Sequence, residues 1–141
     1  MSFDKIFDMF DAINEDNSYV KDPAFDFTET PLFHLGMFKK IIWNQKGFEA
    51  KMDKFRKKFP KSTILDDEEA GEFVTFNRAW FYISKFRLDH PLSEDAIRVF
   101  SDIYTKTACD LAINYFEERE EYEKCAHIKK ISDILEVNLE A

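Results

Sequence analysis

The apolar side chains between Thr30 and Pro60 recur every three or four positions: Leu32, Leu35, Phe38, Ile41, Ile42, Phe48, Met52, Phe55 and Phe59, with Gln45 in the same register. That period belongs to a helix and not to a strand. Thr30-Pro31 supplies an N-cap and then the residue best tolerated in a first helical turn. Pro60 ends the run, because it lacks the amide hydrogen a helix interior needs. A long helix with one apolar stripe must lay that stripe against something, which commits this part of the chain to a helical assembly. Gly36 and Gly47 weaken the run, and Gly47 marks where it could divide in two.

The remaining segments follow the same period. Phe73, Phe76, Trp80, Ile83 and Phe86 form a second stripe behind DDEEAGEF, whose carboxylates suit the positive end of a helix dipole. Trp80-Phe81-Tyr82 places aromatics nearly all the way round, which predicts the central, most buried helix. Ser93 is expected to cap a further helix through Ile97, Phe100, Tyr104, Ala108, Leu111 and Tyr115. Ahead of these, Ser2 can cap a short helix carrying Phe3, Ile6, Phe7, Phe10 and Ile13 on one face, and residues 14–29 lose the period. Three glycines and four prolines leave little turn chemistry for a many-stranded sheet. The expectation is all-α, a compact bundle of five or six helices in one domain over residues 1–141. Residues 1–29 are expected to form a short helix plus an extended arm, 30–60 an amphipathic basic helix, and 66–137 a helical core ending in an antiparallel hairpin.

The hairpin is read from residues 111–136. Glu117, Glu118, Glu120, Glu121 and Glu123 would crowd two turns of a straight helix, where like charges three or four apart repel. A turn near Arg119-Glu120 instead puts Glu120, Glu121 and Glu123 at the start of a new helix, where anions are favoured. Ala112, Phe116, Tyr122, Ala126 and Ile131 are then expected between the two helices. Tyr122, Glu123, Lys124, Cys125, Ala126, Ile128, Ile131 and Leu135 follow the order of the UVR motif, and residues 112–135 resemble that short helical hairpin of the UvrB and UvrC repair proteins. Lys129-Lys130 stand where the motif usually has an Arg-Asp pair. The resemblance implies hairpin-to-hairpin docking onto another protein, with Tyr115, Glu118, Tyr122 and Lys129 as candidate contacts. The same hairpin could instead close the chain's own core.

Net charge is −8, unevenly spread. Residues 39–61 hold nine Lys/Arg against two Asp/Glu, while the segments on either side are acidic. Lys51, Lys54, Lys57, Lys58 and Lys61 lie along the polar side of the long helix, opposite Phe48, Phe55 and Phe59. Such a face can meet an acidic protein or nucleic acid, or it can neutralise the chain's own acidic helices.

Chemistry is sparse. Glu123 and His127 share a helix face, but a metal site needs three or four ligands, and the pair reads as solvated. His34 and His90 have no nucleophile at a recognisable spacing. Cys109 and Cys125 read as two reduced core thiols. No catalytic, cofactor-binding or metal-ligating residues are assigned, and no cofactor is expected. No run is long and apolar enough to span a membrane, and the acidic N-terminus does not read as a leader. These observations point to a cytoplasmic, non-enzymatic protein-interaction module, a small acidic adaptor or regulator. The alternative is an accessory factor of nucleic-acid machinery, binding through residues 51–61 or mimicking nucleic acid with its acidic surface. A second copy of the chain remains open as a partner.

Overall fold

The computed structural model describes residues 26–60 and 68–140. The expected helix over residues 2–13, most of the 14–29 arm, Lys61 and the acidic pair Asp66-Asp67 lie outside those residues. The described chain begins with a 3-10 turn, Phe27–Glu29, which Asp26 closes by accepting from the Thr28 amide at 3.0 Å. Thr30 caps the first helix as its sequence suggests. Its Oγ1 accepts from the Phe33 amide at 3.3 Å and donates to the Phe27 carbonyl at 2.7 Å.

Helix α1 runs from Pro31 to Lys58 without a break. Gly47 does not divide it, and open space surrounds that position. Phe33, Leu35, Phe38, Ile41 and Ile42 of its first half are buried, whereas no residue after Ile42 is. Helix α2, Glu68–Ile83, lies against α1. The chain then turns through an anchored loop in which Phe86 is fully buried. Ser93 donates its hydroxyl to the Arg87 carbonyl there. It is therefore not the N-cap of the next helix: Leu92 occupies the cap and Ser93 is the first helical residue.

The run expected from Ser93 to Tyr115 is two helices, α3 (Ser93–Phe100) and α4 (Ile103–Glu118). Asp102 causes the division. Its Oδ1 accepts from the Thr105 amide at 2.8 Å and the Thr105 hydroxyl at 3.0 Å, an N-cap in mid-run. The elbow is fastened to α1 at two points. Lys39 Nζ meets Asp102 Oδ2 at 2.9 Å, and Trp43 Nε1 donates to the Tyr104 carbonyl at 2.8 Å.

Helix α4 ends where the glutamate argument places it. Glu120 has φ 59°, the Glu121 amide donates to the Phe116 carbonyl at 2.9 Å, and the Glu120 amide to the Glu117 carbonyl at 3.0 Å. This is a Schellman closure with glutamate in the position glycine usually takes. Helix α5, Tyr122–Glu140, then returns along α4. Phe116, Ala112, Ile128, Ile131 and Leu135 are buried in the bundle. Tyr122 and Ala126 are exposed rather than held between the helices. The described residues thus form an all-α bundle of five helices, closed by a C-terminal hairpin.

Helix α2 is not the central helix. Only Phe76, Ala79 and Ile83 of it are buried, and the interior is built mainly from the first half of α1 and the inner sides of α4 and α5. None of the described helices is long and apolar enough to cross a membrane.

Candidate functional site

Helix α2 lies at the edge of the bundle. Phe76 stacks on Tyr115 with ring centroids 4.4 Å apart, Trp80 meets Phe116 edge-on at 6.2 Å, and Thr75 donates to Gln45 Oε1 of α1 at 2.9 Å. At its C-terminal end, His127 of α5 lies 2.7 Å from the Ile83 carbonyl and edge-on to Trp80 at 5.5 Å. A carbonyl only accepts, so His127 Nε2 carries the proton. Lys124 Nζ rests 4.9 Å over the Phe116 ring and 5.5 Å over that of Trp80. One side of α2 is therefore locked to α1 and to the hairpin.

Its other side carries a second apolar stripe. Ala70, Phe73, Val74, Asn77 and Phe81 fall within about 100° of arc at helical spacing. Phe73 is 59% exposed, Val74 53% and Phe81 54%. Asn77 Nδ2 donates to the Phe73 carbonyl at 2.8 Å, and Lys85 Nζ lies 3.9 Å over the Phe81 ring. Beside the stripe, Arg78 borders a groove of about 340 Å³ between α1 and α2, lined also by Lys40, Asn44, Gln45 and Thr75. Large apolar side chains are thus gathered on an exposed face and bordered by polar groups. Phe73, Val74 and Phe81 lie at the surface, although aromatics on all sides of the helix suggest burial. A legible signal was that α2 carries two separate stripes, whereas a helix at an edge can bury only one.

The expected contacts divide. Tyr115 is 5% exposed, stacked on Phe76 and covered by the Arg119 guanidinium at 3.6 Å, so it belongs to the core and not to a docking surface. Glu118, Tyr122 and Lys129 are exposed, Lys129 pairing with Asp133 at 3.3 Å. Lys51, Lys54, Lys57 and Lys58 project from the end of α1. None of these four makes an ion pair among the described residues, so their expected neutralisation by neighbouring acidic helices is not seen there.

Groups capable of chemistry are drawn into packing. Cys109 is buried and burial pushes its thiol up to about 12, far from a reactive thiolate. Cys125 is half-buried rather than in the core, and its Sγ lies 3.5 Å from the Ile113 carbonyl. His127 is engaged with Ile83 and Trp80 rather than solvated beside Glu123. His34 is buried, and burial, reinforced by the Lys85 charge, holds it below its ordinary range. Among the described residues no cluster of three His, Cys, Asp or Glu side chains could hold a metal ion. No protein-family model, curated protein or solved structure matches the chain.

Proposed function

We propose that this protein is a non-enzymatic interaction module that docks a partner protein through the outer face of α2. The observation carrying this reading is the stripe of Phe73, Val74 and Phe81, each more than half exposed on a helix whose opposite side is fixed to the bundle. A rigid backing matters, because a preordered face loses little conformational entropy when a partner settles on it. The exposed side of the hairpin, with Glu118, Tyr122 and Lys129, is a second available surface; the UVR resemblance would use that one. Burial of Cys109 and engagement of His127 support an architecture built for packing rather than turnover.

The test is capture from lysate of the source cells with the tagged full chain and with its Phe73→Ser/Phe81→Ser variant, at moderate salt. Both side chains are exposed, so the variant should keep its helical circular dichroism. A stoichiometric protein retained by the wild type and lost from the variant is expected, and the purified pair should then reproduce the difference by calorimetry. Identical proteins on both baits would remove α2 from the function.

A further inference from the structure

The C-terminal third of α1 differs from the rest of the described surface in how its charges are used. Elsewhere, cations are mostly paired: Lys39 with Asp102, Arg87 with Asp89, Arg98 with Glu94, Lys106 with Asp110 and Lys124 with Glu121 all lie within 3.1 Å. Lys51, Lys54, Lys57 and Lys58 have no such carboxylate among the described residues, although the chain as a whole is acidic. The helix dipole accounts for cations in the last turn, where Arg56, Lys57 and Lys58 stand. It does not account for Lys51 and Lys54, which lie outside that turn.

The same segment carries an apolar stripe. Phe48, Met52, Phe55 and Phe59 follow at four, three and four residues, within about 60° of arc. Phe48 is 54% exposed and Phe59 49%, and the Phe55 and Phe59 rings meet at 4.9 Å. Met52 and Phe55 are half-buried. Helix α2 contacts α1 at Gln45 through Thr75, and no side chain of α1 beyond Ile42 is fully buried. Lys51 and Lys58 fall on one edge of the stripe and Arg56 on the other, by the 100° advance per residue.

We infer that this end of α1 is a second docking site, for an acidic amphipathic helix of a partner protein. An apolar stripe bordered by lysines that have no ion pair among the described residues complements a helix with an apolar face flanked by carboxylates, the helix-on-helix mode of peptide recognition. Nucleic acid fits less well, since a phosphate backbone satisfies the lysines but offers nothing to Phe48 and Phe59. This site uses other residues than the α2 face, and the inference does not rest on that reading.

The test uses fluorescence polarisation with the full chain and labelled peptides. One peptide carries leucine at i, i+3, i+4 and i+7 with glutamate on its remaining face; its counterpart carries lysine instead. A short DNA duplex and vesicles containing anionic lipid complete the probes. The acidic peptide should bind the wild type and weaken with salt. Lys51→Glu/Lys58→Glu should weaken it by about tenfold or more, the equivalent of about 1.4 kcal/mol, and should make the lysine peptide the better ligand. Phe48→Ser/Phe59→Ser should weaken it comparably with helicity unchanged. Failure of the acidic peptide to bind overturns the inference. So does binding of duplex or vesicles that needs the lysines but ignores Phe48→Ser/Phe59→Ser, and so does self-association of the purified chain through this segment. None of these results bears on Phe73 and Phe81, so the α2 reading succeeds or fails separately.

Discussion

Substituting Asp102 and substituting Lys39 should have unequal consequences, although the two side chains form one ion pair. Lys39 is 1% exposed, and its Nζ lies 2.9 Å from Asp102 Oδ2 and over the Phe100 and Tyr104 rings at 5.4 and 5.8 Å. Burial nonetheless holds its ammonium below the usual lysine range, with Asp102 only partly opposing that. For a base, a folded-state value below the unfolded one means that the unfolded chain binds more protons. The charged form therefore costs stability at neutral pH, and the cost fades as pH rises through the alkaline range. Lys39→Met removes the desolvated charge and keeps most of the stem's volume, so stability should stay within about 1 kcal/mol of wild type or rise. Asp102→Asn keeps an N-capping oxygen for Thr105 but removes the carboxylate from a buried cation. The usual cost of breaking such a pair is about 3–5 kcal/mol, and the 35% side-chain exposure of Asp102 lowers it to about 2 kcal/mol. Asp102→Ala loses the cap as well, adding about 1 kcal/mol. Urea unfolding at pH 7 with an unchanged m-value reads all three. If Lys39→Met costs as much as Asp102→Asn, the pair is a net source of stability and the reasoning is wrong.

Two further outcomes follow from single positions. Glu120→Gly should stabilise the hairpin by about 0.5–1 kcal/mol, because glutamate at φ 59° bears a left-handed penalty that glycine escapes; a lower melting temperature would show that the glutamate side chain matters more than its backbone. His34 is held below its ordinary 6.5 first by burial and then by the Lys85 charge, so the unfolded chain binds the proton more readily. Its contribution is complete above about pH 6.5 and lost as pH falls below that. The stability difference between wild type and His34→Leu should therefore shift against the wild type from pH 7.5 to 5; a difference independent of pH would mean that His34 titrates equally in both states.

Features set by neighbours in sequence were legible. Thr30-Pro31 and the stripe behind it predict α1, since capping and spacing operate within a few residues. The glutamate cluster locates the α4–α5 turn, because repulsion along a straight helix and attraction at a helix start favour the same break. Asp102 was equally local, yet the apolar period runs through the elbow and hid it; its distant partner Lys39, 63 residues away, is what secures the break to the bundle. Tyr115 and Tyr122 show the opposite case. Both are tyrosines beside the same turn, but one stacks on Phe76 from another helix and the other is 61% exposed.

Helicity, the start of α1, the place where the last two helices fold back, and the concentration of lysine in one segment were properties of the chain as written, because each arises from interactions within one or two turns. Burial was not. Phe73 and Phe76 are three residues apart on one helix, alike in side chain. Phe76 is buried because Tyr115 and Phe116 stand beside it, and Phe73 is exposed because none of the described helices covers that side. That distinction comes from contacts about forty residues apart, which no local period encodes, and it leaves part of the aromatic excess of α2 at the surface instead of in the core.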